Sequence, residues 1–297
     1  MKKVVKFGGS SLASAEQFKK VGDIIKADPD RVYVVPSAPG KRNSKDTKVT
    51  DMLYKTYALA EAEKDFSKQL ADIKARYDEI IKGLNLKLDL TDEFKTIEKN
   101  FKALAGNDYA ASRGEYLNGI IMANYLGYEF IDSATVVVFD KNGEFDGEKT
   151  NKLMAKKLEK TPKAVIPGFY GAYPDGSIKT FSRGGSDITG SIVSRAIKAD
   201  VYENWTDVSG FLVADPRIID KPPHIETITY TELRELAYMG ASVLHEDAIF
   251  PVEKKVFRSI SEIPTSPRIR EHGLLSQQQR SLSMLLPVLP ERRDSAV

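Results

Sequence analysis

Apolar and polar positions along the chain switch between a strand period and a helix period. Residues 4–7 read as a buried strand. Residues 15–27 follow as a helix with Ser14 as its N-cap, and residues 31–35 as a second strand closing at Pro36. Strand, helix, strand in that order implies a right-handed crossover and a parallel sheet. Helical spacing then holds from about residue 50 to 101, in a segment rich in Lys, Asp and Glu. Its stretch from Ala60 to Asp65 reads as a solvated helix surface. A further helix is expected over residues 108–126, stopping at Gly127.

Strand signals return at residues 128–131 and 135–139, and Asp140-Lys141-Asn142-Gly143 is a turn. A helix is predicted near 150–159 and a strand over 163–167. Residues 173–177 form a hairpin turn. Another helix is expected over 188–198, a strand over 200–205 and a short helix over 231–239. The alternation predicts an α/β fold, a three-layer αβα sandwich around a mainly parallel sheet. No internal repeat is evident.

Composition narrows the class. The chain has 297 residues, 41% hydrophobic and 29% charged, and no cysteine. It therefore has no disulfide framework and no thiolate chemistry. No apolar run reaches membrane-span length, and the expectation is a cytoplasmic protein without a membrane partner. The net charge of +2 divides unevenly. Residues 253–297 hold eight Lys or Arg and five Asp or Glu, a balance of +3, which leaves −1 elsewhere. No nucleic-acid face is expected from that distribution. His224, His245 and His272 lack ligand-like spacing and read as structural.

Two glycine-rich stretches carry the candidate chemistry. In V-V-K-F-G-G-S-S, Lys6 ends a strand and Gly8, Gly9 and Ser10 lead toward a helix. The glycines permit close backbone approach and positive φ. A helix start offers free N–H groups to an anion. On these residues alone the stretch is either a phosphate site or a plain strand-to-helix turn. It matches neither the Walker loop nor the G-x-G-x-x-G dinucleotide fingerprint.

The second stretch is F-S-R-G-G-S-D-I-T-G-S, residues 181–191. Arg183 suits a carboxylate or phosphate, and Ser186 is among the serines that supply hydroxyls. Asp187 either caps the helix or orients a lysine or a metal-linked water. Two such helix starts suggest a site split between two loops at the carboxyl ends of strands. Thr206 and Asp207 follow a strand in position to meet a nucleotide, whereas the adjacent Trp205 reads as core. Ser37 and Thr50 flank a loop after the second strand. Glu115, inside a helical pattern, is either a surface charge or a carboxylate aimed into the cleft.

K-F-G-G-S-S, V-V-x-S-A-x-G, T-D-M-L, R-G-E, R-G-G-S-D-x-T, W-T-D-V-S-G and A-D-P-R occur in that order. Together they closely resemble the catalytic domain of the aspartokinases, within the amino-acid kinase family, over about residues 3–252. The resemblance implies transfer of a phosphoryl group from Mg-ATP to the side-chain carboxylate of L-aspartate. That reaction opens the aspartate route to lysine, threonine and methionine. A homodimer is also implied.

By the resemblance, Lys6 would bridge the β- and γ-phosphates and Gly8, Gly9 and Ser10 would cradle them. Asp187 would hold the lysine. Arg183 would grip a substrate carboxylate and Glu115 the substrate amine, with Ser37, Thr50 and Ser186 on the substrate side. Thr206, Asp207 and Arg217 would contact the nucleotide. Mg²⁺ would be carried by ATP, with no direct protein ligand. The acceptor is already ionised at neutral pH, so no general base is needed. The alternatives are another amino-acid kinase, of the glutamate or N-acetylglutamate type, or a truncated protein that binds nucleotide without turnover.

Departures are also expected. Pro36 and Ser242 stand where many relatives have other residues. The resemblance spans a catalytic domain of residues 1–252, with a helical insertion near 50–105, and nothing resembles the ACT regulatory domains. Residues 253–297 show neither clear period and read as disordered. One nucleotide restored before Glu253 in a back-translation yields R-K-E-G-I-P-I-N, which resembles the family's continuation. The tail is therefore expected to be out of frame, at the loss of a core strand and its sheet edge. Resequencing the gene from independent isolates tests this, and an intact frame sinks it.

Overall fold

A computed structural model describes residues 1–181, 184–206, 211–212, 219–220, 224–225, 228–229 and 256–261. The first strand, β1 (Lys3–Phe7), shows how the layers arise. Its Val5 and Phe7 enter one core and Val4 the other, because successive strand residues point to opposite faces. β2 (Arg31–Pro36) repeats the pattern, with Val34 on one face and Tyr33 and Val35 on the other. A sheet buried on both faces must be apolar in near-continuous runs, and these strands are.

α1 (Ala15–Lys26) crosses between them, with the Ser14 Oγ accepting from the Gln17 amide at 3.4 Å. Then come α2 (Val49–Glu61), α3 (Ser67–Gly83), α4 (Thr91–Lys102) and α5 (Asn107–Leu126). β3 (Glu129–Phe130), α6 (Gly147–Glu159) and β4 (Ala164–Val165) precede a hairpin of β5 (Tyr170–Ala172) and β6 (Ile178–Thr180). α7 (Gly185–Ala196), β7 (Val201–Thr206), β8 (Phe211–Leu212), β9 (His224–Ile225), β10 (Ile228–Thr229) and β11 (Val256–Ser261) complete the described elements. The main sheet runs β10-β11-β7-β1-β2-β4-β3, and every pairing is parallel except β10 with β11.

One core lies between the sheet and α1 to α5. The other lies between the sheet and α6 with α7. The three-layer αβα sandwich is therefore the observed architecture. The insertion enlarges the first core with Leu70, Ile73, Tyr77, Ile80, Phe94, Ile97 and Phe101. Each such aliphatic or aromatic side chain contributes about 1.5–3 kcal/mol by leaving water. Of the stretch from Ala60 to Asp65, residues 61–65 are exposed and Ala60 is buried. α5 ends at Gly127, whose φ of +67° supplies the left-handed cap.

Two expectations fail. Residues 135–139 are not a strand. Asp132 Oδ1 accepts the Ala134 amide at 3.0 Å and starts a 3-10 turn over Ser133–Thr135, leaving only isolated bridges at Val138 and Phe139. Local side-chain capping has outcompeted the ladder. The second concerns the tail. The sheet does not lose its strand beyond residue 252: β11 lies parallel to β7, from Val256↔Val201 to Ser261↔Thr206. The unpaired edge of β7 is a template, and V-F-R-S-I-S has enough β-prone residues to take it. The predicted helix at 231–239, His245, His272 and Ser242 lie outside the described residues.

A buried charge cluster fixes the sheet's centre. Glu203 on β7, 1% exposed at its side chain, pairs with Arg31 (Nε–Oε2 2.8 Å) and accepts from Trp205 Nε1 at 3.1 Å. Without Arg31, Glu203 keeps only the more distant Lys3 ammonium at 3.8 Å and the Trp205 N–H, and a buried charge that loses its closest partner is costly. Arg31→Ala is expected to cost about 3 kcal/mol, measured as a fall in the urea midpoint at unchanged slope. A cost near zero would show that the pair is not buried in solution.

Candidate active site

Three strands end side by side and deliver the site. β1 runs into Gly8, β2 into Ser37 and β7 ends at Thr206. The Gly8 amide donates to Trp205 O at 3.1 Å and the Ser37 amide to Phe7 O at 3.1 Å, which locks the three ends together. Lys6 shares a face with Val4, so its side chain heads for α7. There Nζ lies 2.7 Å from Asp187 Oδ1 in the first helical turn. Lys6 is 7% exposed. Asp187 Oδ1 is buried and accepts no well-aligned hydrogen bond, so the contact is ionic. Asp187 does not cap α7, whose N-cap is Gly184 at φ +76° with no side-chain partner.

Neither Gly8 nor Gly9 uses a positive φ. Their value is close approach. A Cβ on Gly9 would stand 2.7 Å from Ala38 O, and one on Gly40 would stand 2.6 Å from Gly9 C. The Gly40 amide donates to Gly9 O at 2.7 Å, so the loops after β1 and β2 touch through bare backbone. Ser10 opens the 3-10 turn that follows Gly9.

α5 brings the second half. Glu115 is 6% exposed, so the surface-charge reading is excluded. Its Oε1 accepts from the Ala38 amide at 3.0 Å while Oε2 has no partner. Burial pushes its carboxyl up to about 7, against smaller lowering by the Ala38 amide. Gly114 lets α5 lie against this loop: a Cβ there would meet Ala38 Cβ at 2.8 Å and Thr50 Oγ1 at 3.6 Å. Ser186 packs on the Gly168 backbone, and Phe169 beside it holds φ +81°, a strained value for a non-glycine residue.

The structure thus gathers Lys6, Gly8, Gly9, Ser10 and Asp187 at one end, and Ser37, Thr50 and Glu115 along the adjoining loop. Arg183, Asp207 and Arg217 lie outside the described residues, as does the Thr206 side chain. Sequence reasoning missed Asn118, fully buried, whose Nδ2 donates to Ser37 O at 2.6 Å. Its spacing three residues after Glu115 on a helix was the available signal. It also missed Asn204, which sits opposite Lys6 in the β1–β7 register with a buried, unpartnered Oδ1.

The model of the amino acid kinase family matches residues 1–260. The chain belongs to the amino acid kinase family. It is 36% identical to Aspartokinase 3 of Bacillus subtilis (strain 168) over 265 residues, covering 84% of this chain and 58% of that protein. It is 53% identical to the crystal structure of Clostridium acetobutylicum aspartate kinase, with a TM-score of 0.81 over 87% of this chain and 60% of that one. Escherichia coli aspartokinase III, solved with lysine and aspartate, is 27% identical with a TM-score of 0.68, over 84% and 59%. The chain spans about three-fifths of these proteins' length. Among the described residues no helix is long and apolar enough to cross a membrane.

Glu115 generates a pH signature. Its folded pKa lies above its ordinary value of 4.5. The protonated folded form is therefore favoured, and the stability it adds is complete below about 4.5 and lost as pH rises toward 7. Glu115→Gln is expected to flatten the stability curve across that window. Thermal melts of both proteins from pH 4 to 8 check it, and parallel curves would refute the buried carboxyl.

Proposed function

We propose that the chain is the catalytic part of an aspartate kinase, forming 4-phospho-L-aspartate from L-aspartate and ATP. The observation that carries the reading is the buried Lys6–Asp187 ion pair at 2.7 Å, set between two glycine-rich helix starts. The similarity to aspartokinases, at 36% and 53% identity, supports aspartate as the acceptor.

The chemistry needs alignment of two anions rather than proton abstraction. One oxygen of the aspartate side-chain carboxylate attacks the γ-phosphorus. The bond to the β–γ bridging oxygen breaks, and ADP departs with the electron pair. Lys6 offsets the charge on the transferring group, and Asp187 holds the ammonium in place. Gly8, Gly9 and Ser10 offer backbone and hydroxyl to the phosphates. Glu115 Oε2, buried and unpartnered, receives the substrate ammonium, which draws the carboxyl back to its charged form. Asn118 and Glu115 fix Ser37 and Ala38 from one helix face.

Arg183 for the substrate carboxylate, and Thr206, Asp207 and Arg217 for the nucleotide, complete the reading from the sequence resemblance. Among the described residues no three His, Asp or Glu side chains gather around a metal. Mg²⁺ would arrive as the counter-ion of the ATP phosphates and would screen their charge. The product is a mixed anhydride and must be consumed by a reductase or another acyl-acceptor reaction before water hydrolyses it. Synthesis of lysine, threonine and methionine is the proposed setting.

An aspartyl hydroxamate assay decides the activity, run with aspartate, glutamate and N-acetylglutamate as acceptors. Aspartate alone is expected to turn over. Lys6→Ala is expected to lose about 10³-fold in kcat with a smaller change in aspartate affinity. ATP binding without any hydroxamate would instead favour the nucleotide-binding reading.

A further inference from the structure

Two consecutive residues on α3, deep in the insertion, reach the site from outside it. Tyr77 OH donates to Gly114 O at 2.7 Å, one residue before Glu115. Arg76 is 4% exposed and turns to the other loops. Its Nη2 donates to Gly40 O at 2.7 Å and Ala13 O at 3.4 Å. Its Nη1 lies 2.8 Å from Asp46 Oδ2 and donates to Thr47 O at 3.5 Å.

These acceptors belong to separate pieces of chain. Ala13 closes the turn that begins at Gly9. Gly40 is bonded to Gly9 O. Asp46 and Thr47 lead into α2, which carries Thr50. Only a guanidinium has enough donors in one rigid plane to serve all of them, whereas an ammonium is a compact point charge. α3 itself is anchored by Ile73, Tyr77 and Ile80 and makes no demand for a buried cation. Burying a charge is costly unless it is paired, and here the pairing is spent on the site's loops. Asp46 is shared with Arg42 (Nε–Oδ2 2.9 Å), which also meets Glu79 on α3 at 2.8 Å.

We propose that Arg76 is a positioning residue for phosphoryl transfer. From α3 it fixes Gly40 and Thr47, and through them the Gly9 backbone and Thr50, in one arrangement. It touches no reacting atom. The inference rests on the kinase reading of the site.

The test uses the full chain and two variants, Arg76→Lys, which keeps the charge, and Arg76→Met, which keeps the volume. Each is assayed below its own melting midpoint for kcat, for KM of both substrates and for ATP affinity by calorimetry. The expected result is a loss of about tenfold or more in kcat/KM for both variants, since small misplacements are costly in such sites. ATP affinity should weaken by several-fold. A third variant, Arg76→Ala, adds a rescue arm: ethylguanidinium should restore part of its lost activity. Native kcat, KM and ATP affinity in folded Arg76→Lys, with only a lowered melting point, would reduce Arg76 to a stability role and overturn the proposal. If the wild-type chain makes no hydroxamate, the kinase reading fails separately. The Arg76 inference is then decided by ATP affinity alone, and equal affinities overturn it.

Discussion

A buried ammonium needs a buried anion, and the site is built around that demand. Lys6 is inward-facing because strand alternation leaves it no choice: it shares a face with Val4, and that face is covered by α7. Without Asp187 the cation would be stranded at a cost of several kcal/mol. The pair therefore fixes the first turn of α7 to the end of β1. Gly185 lets that turn come close, since a Cβ there would stand 2.6 Å from the Phe169 ring. The same contact keeps the carboxylate from wandering and the ammonium from leaving.

The half of the site around Glu115 follows a different logic. Glu115 is buried with one oxygen satisfied and one not, which is unfavourable for a carboxylate and explains its raised pKa. Such a group is held there by its neighbours. Gly114 allows the close packing, Tyr77 clasps the Gly114 carbonyl, and Asn118 fixes the adjoining loop. Stability is lower than an apolar core would give, and under the proposed function the deficit lies where a substrate ammonium would relieve it.

Much of this was legible in the sequence. Apolar runs in β1 and β2 mark a sheet covered on both faces. K-F-G-G-S and R-G-G-S-D mark two helix starts, and the structure brings Lys6 and Asp187 into contact. What stayed hidden was set by contacts far apart in sequence. The glycines at 8 and 9 suggested positive φ, but at Gly9 the need comes from Ala38 and Gly40. Residues 135–139 carry a strand pattern that a single Asp132 overrides. In the tail, comparison with an expected continuation outweighed local β-propensity at 256–261, and the open edge of β7 decided otherwise. Arg76 lies in a segment rich in Lys, Asp and Glu, where one further charge does not stand out. Its place between Ile73, Tyr77 and Ile80, three to four residues apart, was the readable sign that it faces inward.

One hydrogen bond has a wider meaning. Gly40 N to Gly9 O joins the loop proposed for phosphate to the loop proposed for the amino acid. Two ligands that share a joint bind independently only where the joint is indifferent to at least one of them. In the proposed reading, whatever ATP does to aspartate affinity through Gly9 and Gly40, aspartate must do equally to ATP affinity, because coupling free energy has no direction. A side chain added at either glycine would strain this joint and so disturb both loops together.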